Sequence, residues 1–291
     1  REGAPLEAWE RAGRDVFERV PTQVDLALEV LRDRAEAERA GLLVDADGMV
    51  QGAIEVETPI GWVVALTCAA CHAAERSGAL LAGVPNERFD LAGLLGAGWP
   101  VGTMDVTGDD IDNPVRPSDL RPIALQARLQ HTGNLANGRV ARMVRIETLL
   151  ITQRRATARP DRRAVAALAL YLESLARTLP EVDHESEGGA LFASQCAGCH
   201  AGEGMSGEPV PATLVLTDPR ATLAASERGT LGYRPPSLRG VGDRRSVLHD
   251  GTAADLDAVL GLVPSEHAGH PFGRDLDEEA RAAIARFLRA R

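Results

Sequence analysis

Two copies of one short pattern constrain this chain more than any other feature: Cys68-Ala69-Ala70-Cys71-His72 and Cys196-Ala197-Gly198-Cys199-His200. In a C-x-x-C-H segment two thiols can add to the vinyl groups of one haem, and the adjacent imidazole then faces the iron. The cofactor-binding residues predicted are therefore Cys68, Cys71, His72, Cys196, Cys199 and His200, holding two covalently attached haem c groups with His72 and His200 on the metals. All four cysteines of the 291-residue chain are used in this way. A shared four-thiolate zinc site would leave each adjacent histidine without a role. A thioredoxin-type pair needs one C-x-x-C in a βαβ setting, which is not found.

Length and spacing agree on two domains. The signatures start 128 residues apart, and 44% hydrophobic content is enough for a sizeable core. Aromatics make up only 3%, so porphyrin rings are expected to supply much of the aromatic packing. Every one of the 32 basic residues is arginine, against 42 acidic residues. The net charge of -10 argues against nucleic acid and anionic membranes; a redox partner protein is expected, and a basic one would fit this charge, although a solvated acidic surface is the plainer reading of it. No apolar run approaches a membrane span. Haem c is attached outside the cytoplasmic membrane in bacteria, so export to the periplasm or cell surface is expected, with a leader removed.

In chain order, Pro5 to Ala40 predicts two amphipathic helices broken at Pro21. Leu42 to Val44 and Met49 to Val56 read as a β-hairpin about Asp45-Ala46-Asp47-Gly48, with Trp62 to Leu66 as a third strand. From Ala73 to Asp119 a loop is expected. Its Asp105, Asp109, Asp110, Asp112 and Asn113 offer oxygens to a calcium ion, but their spacing matches no calcium motif, and a solvated turn is expected. Two helical patterns flank His131, and a helix is then expected from Asp161 to Leu179 with Asp161 as its cap. Pro180 to Gly189 reads as a linker, dividing the chain into residues 1–182 and 187–291. A closing helix is expected from Asp277 to Arg291. The fold class expected is mainly α: two tandem cytochrome c-like helical domains, each wrapped on one haem c, with a small β-hairpin insertion in the first.

The sixth position on each iron decides the chemistry. For the first haem the candidates are His131, preferred, and Met104. For the second they are His270, preferred for its stiff Gly269-His270-Pro271-Phe272-Gly273 setting, then His267 and His249. Met205 follows its signature too closely to reach the opposite face, and His184 is expected to be exposed and idle.

The run Tyr233-Arg234-Pro235-Pro236-Ser237-Leu238-Arg239-Gly240-Val241, with Leu248-His249-Asp250-Gly251-Thr252 and Leu256, resembles the di-haem bacterial cytochrome c peroxidase and MauG-type superfamily over residues 187–291. The first half is similar mainly in its C-x-x-C-H and in Asp105 to Thr107 with Asp112-Asn113-Pro114. The resemblance implies tandem cytochrome c domains that exchange electrons, and peroxide reduction at one haem. Where the peroxidases place a distal Met after the H-D-G turn, this chain has Leu262-Val263-Pro264. It also lacks a His about sixteen residues after the first signature. The leading expectation is therefore a di-haem electron carrier with both irons six-coordinate. The alternative is a peroxidase or MauG-type oxidase acting at the first haem, and a third class is a structural or sensory haem domain.

Overall fold

The computed structural model describes residues 4–22, 28–45, 47–59, 61–76, 78–105, 111–153, 159–217, 230–263 and 269–290. They form a mainly helical protein with four small antiparallel strand pairs among the described residues. No described helix is long and apolar enough to cross a membrane. The chain divides into two compact units. The first comprises residues 1–106, 117–121 and 138–175, and the second 107–116, 122–137 and 176–291. These differ from the contiguous division expected at residues 182–187, because 107–116 and 122–137 belong with the second signature.

In the first unit, α1 (Leu6–Arg19) packs along α6 (Arg162–Ser174). Asp161 caps α6 as expected, its carboxylate accepting from the Arg163 amide at 2.8 Å. Phe17 and Tyr171 meet edge to face, with ring centroids 5.6 Å apart. Gly13, one turn before Phe17, allows the close approach: a Cβ there would lie 2.0 Å from the Ala167 carbonyl oxygen and 2.6 Å from the Tyr171 Cβ. Alongside runs α5 (Arg139–Gln153), tied to α6 by Arg139 and Arg142 on Glu173.

The second amphipathic helix expected before Ala40 is shorter than its pattern. A 3-10 turn at Glu29–Arg32 leads into α2 (Arg34–Arg39), which Asp33 caps through the amides of Ala35 and Glu36. The hairpin is also displaced. The Asp45 carboxylate takes the Asp47 and Met49 amides, so the turn forms, yet Val44 and Val50 share only an isolated bridge. The ladder proper pairs β1 (Ala53–Thr58) with β2 (Gly61–Leu66), the segment expected as an accessory strand. Gly52 breaks the first pairing. It holds φ +89°, and a Cβ on it would meet the Ala70 amide nitrogen at 2.2 Å, so the chain bends there to pass against the signature. That signature, Cys68–His72, is α3, succeeded by strands β3 (Ala73–Arg76) and β4 (Ala79–Ala82) and by α4 (Leu91–Leu95). A buried cluster including Leu31, Leu66, Ala70 and Phe89 lies beneath them, with Cys71 and Met104 packed against it.

The second unit repeats the helix pair. Ser186 caps α7 (Glu187–Gln195), so Gly188 and Gly189 lie inside a helix and not in a linker. Their reason is packing: a Cβ on Gly188 would lie 2.3 Å from the Ala283 carbonyl oxygen and 2.7 Å from the Phe287 Cβ. Phe192 meets Phe287 of the closing helix Glu278–Arg289, centroids 5.4 Å apart. Asp277 caps that helix on the Ala280 amide at 2.8 Å. Gly13 and Phe17 against Ala167 and Tyr171 thus correspond to Gly188 and Phe192 against Ala283 and Phe287. Each buried aromatic contributes about 1.5–3 kcal/mol by burial, and each ring pair about 0.5–1.5 kcal/mol more. The units differ in the distance from this helix to the signature: Cys196 comes four residues after Phe192, whereas Cys68 comes 51 after Phe17.

The close approach makes an expected outcome. Gly188→Ala should lower stability by about 1–3 kcal/mol through overpacking, whereas Gly198→Ala, with nothing within 4 Å of its added Cβ, should change it by no more than about 0.5 kcal/mol. Thermal unfolding followed by circular dichroism measures both.

Two candidate cofactor attachment sites

In the first unit β2 delivers the chain into Cys68 through Thr67, and the helical turn of α3 brings both thiols and the imidazole to consecutive positions. Both cysteines are free thiols. Burial pushes each thiol up to about 12. His72 Nδ1 lies 3.0 Å from the Ser118 carbonyl oxygen. A carbonyl can only accept, so Nδ1 carries the proton and Nε2 keeps its lone pair. Burial lowers His72 to about 4, so the ring is neutral, the form that ligates a metal. Ser118 is fixed by its neighbours. The Asp119 carboxylate takes the Arg121 amide at 2.9 Å and its guanidinium through Nε and Nη2, both side chains being buried. Gly83 donates back to the His72 carbonyl at 2.7 Å.

In the second unit α7 runs directly into Cys196. His200 is buried, its Nδ1 between two carbonyls, 3.2 Å from Met205 O and 3.1 Å from Pro236 O. It too is lowered to about 4, first by burial and then by His270. The loop carrying these acceptors is knitted by the Pro235 to Arg239 run: Ser206 Oγ donates to Pro235 O at 2.6 Å, Ser237 Oγ to Gly204 O at 2.5 Å, and Arg239 Nη1 to Glu203 O at 3.2 Å. Met205 is buried and contributes its carbonyl on this side of the ring, consistent with its exclusion as a sixth ligand.

Across from His200 stands His270, ring centroids 6.3 Å apart and planes at 49°. Two imidazoles at this separation leave room for one metal ion bonded to each at about 2 Å. The backbone presents His270 from a left-handed conformation, φ +52°, with its amide bonded to Val215 O at 2.7 Å. Of its competitors, His249 is engaged elsewhere. Its ring stacks on Tyr233 at 4.4 Å, its Nε2 meets the Tyr233 hydroxyl at 3.1 Å, and its Nδ1 meets Thr217 Oγ1 at 3.4 Å. His267 lies outside the described residues. His184 packs its ring 6.1 Å from Phe287.

His131, preferred from the sequence as partner to His72, is placed in the second unit, where its Nε2 lies 3.0 Å from Arg116 O and its carbonyl accepts the Arg234 amide at 2.7 Å. The loop belongs there because residues 128–136 form a short hairpin, Arg128–Leu129 with Leu135–Ala136, whose anchors are second-unit residues. Local sequence carried no signal for that. His72 is the one histidine that the first unit's segments contain, and Met104 packs with Cys71 against its core. In the acidic run Asp109 and Asp110 lie outside the described residues. Among those described, no group of three or more His, Cys, Asp or Glu is placed to hold a metal ion.

Residues 185–291 match the family model of cytochrome c. No curated protein matches the chain. Among solved structures it is similar to a MauG-like protein associated with microbial copper homeostasis, at 13% identity and a TM-score of 0.39, covering 99% of this chain and 89% of that one.

The His131 loop carries a measurable charge signature. Burial, then Arg234 and His249, lower His131 to about 4. Unfolded, it protonates near 6.5. Below that pH the unfolded chain binds the extra proton, so this contribution to stability is complete above about pH 6.5 and lost as pH falls toward 4. His131→Gln should therefore narrow the difference in denaturant midpoint between pH 7 and pH 5.

Proposed function

Starting from a C-terminal unit that is a c-type cytochrome domain, we propose that the whole chain is a di-haem c-type cytochrome that carries electrons outside the cytoplasmic membrane. The single observation that carries this reading is the repetition, at both C-x-x-C-H segments, of a neutral imidazole, half-buried at His72 and buried at His200, whose Nδ1 is bonded to backbone carbonyl, which leaves Nε2 for a metal. Cys68 and Cys71 would hold one haem and Cys196 and Cys199 the other. A bound haem c supplies a one-electron couple, and the protein sets its potential through axial ligands, hydrogen bonds and burial.

His200 and His270 are proposed as the axial pair of the second haem, supported by the two facing rings. Two histidines that would hold one iron suit an electron carrier, because both could stay bound as its charge changes. The Ser206, Ser237 and Arg239 bonds would keep the His200 acceptors in place. A basic redox partner protein fits the net charge of -10.

One observation favours a second reading for the first haem. Met104 packs with Cys71 against the first unit's core, so it stands as the alternative sixth ligand opposite His72, and a first haem held by neither Met104 nor His131 would leave that position to a substrate. An open first haem fed with electrons from the second is the division of labour that the peroxidase and MauG-type resemblance implies.

Two measurements separate the readings. Purified from a host that matures cytochromes c, the chain should carry two haems by pyridine haemochrome, and the Cys68→Ala/Cys71→Ala variant one. His270→Ala should turn one haem from low spin to high spin in the ferric electron paramagnetic resonance spectrum, and an unchanged spectrum overturns that ligand. A high-spin signal already present in the unmodified protein, with peroxide turnover from an artificial donor, selects the second reading.

A further inference from the structure

The buried charges of the two units are differently balanced. In the first, buried Arg121 meets buried Asp119 in a two-pronged contact, and buried Arg142 meets Glu173. In the second, the buried Arg234 guanidinium meets no carboxylate among the described residues. Its Nε donates to Gln130 O at 3.0 Å, and its Nη1 to Ser206 Oγ at 2.9 Å and Pro235 O at 3.3 Å. Every one of these acceptors is neutral. They orient the guanidinium, but they do not cancel its charge. Arginine does not escape the cost by losing its proton near neutral pH, so a buried guanidinium calls for an anion.

The position of this cation indicates which anion. Ser206 follows Met205, and Pro235 precedes Pro236, and the carbonyls of Met205 and Pro236 are the acceptors for His200 Nδ1. Arg234 therefore belongs to the wall that holds the metal-facing imidazole of the second site. A haem brings two carboxylates, its propionates, wherever it is bound. We propose that Arg234 is the counterion of a propionate of the haem held at Cys196 and Cys199. The inference rests on the di-haem reading above and adds the group that neutralises the anion. Arginine suits this role because its planar fork can face a carboxylate with one edge while the other stays on Ser206 and the backbone.

The test uses the holoprotein with Arg234→Gln and Arg234→Lys. Electrochemically induced infrared difference spectra read the haem carboxylates directly, and spectroelectrochemistry reads each haem's midpoint potential. In Arg234→Gln the paired-carboxylate bands should move to the position of an unpaired or protonated carboxylate. The potential of the second haem should fall, because a cation that disfavours the ferric state has gone, while that of the first stays put. Arg234→Lys keeps the charge and should restore the bands and most of the potential, which a role confined to bonding Ser206 and Gln130 would not allow. Should the Gln variant fail to accumulate, the Lys variant decides: carboxylate bands at the unpaired position despite the retained charge overturn the pairing. Infrared spectra of Arg234→Gln that superimpose on the unmodified protein, with two haems still attached, overturn the pairing alone. Absence of haem at the second signature overturns both the pairing and the di-haem reading.

Discussion

Everything at both sites depends on an imidazole held neutral and oriented inside the protein by backbone carbonyls. Ser118 O serves His72, and Met205 O and Pro236 O serve His200. Because a carbonyl cannot donate, this one type of bond fixes the tautomer, leaves Nε2 as the ligating atom and stops rotation of the ring. It also explains why distant segments return to each signature. Ser118 lies 46 residues after His72, and Pro236 lies 36 after His200. Each acceptor needs its own support, supplied by the buried Asp119–Arg121 pair in one unit and by Ser206, Ser237 and Arg239 in the other.

Around that shared device the units diverge in ways that bear on function. Both close on a crossed helix pair in which a glycine lets two backbones touch and an aromatic one turn on packs against its counterpart. The first then inserts the Ala53–Leu66 hairpin ahead of its signature, whereas the second goes straight from helix to cysteine. The histidines are shared out unequally. His131, His249 and His270 all belong to the second unit, where His131 and His249 each have a hydrogen-bond partner and His270 faces His200.

Legibility from sequence tracked the range of the interaction. The cap Asp161 and the closing helices depend on neighbours within one or two turns, so spacing alone revealed them. The His270 turn was visible for the same reason, as a stiff Gly-His-Pro segment. Features that depend on distant partners were not visible. Gly188-Gly189 carries the composition of a flexible joint, and only the backbone of Ala283 shows it to be a point of close approach. His131 was expected opposite His72, and nothing in Gln130 to Asn134 encodes that the loop bonds to Arg116 and Arg234. The strand expected as an accessory became the main partner because Gly52 must pass the Ala70 backbone, a constraint written 18 residues away.

The scarcity of aromatic residues gains meaning from where those few are placed. Phe17 with Tyr171 and Phe192 with Phe287 lock helix pairs, and Tyr233 is committed to His249. The cysteines stand at the edges of the cores: Cys71 packs against the cluster containing Phe89, and Cys196 against the one containing Phe192. A cofactor joined through those thiols remains tethered when the chain unfolds, so its covalent attachment alone does not favour the folded state. Folding is favoured by the interactions that the tethered group gains only in the fold, namely contact with the core edge and ligation by a histidine delivered at high effective concentration. On this argument, thioether bonds would secure the cofactor, and a histidine ligand such as the proposed His270 would convert its presence into stability. His270 itself holds a left-handed backbone position, a conformation costly for a β-carbon-bearing residue, with its amide hydrogen-bonded to the Val215 carbonyl.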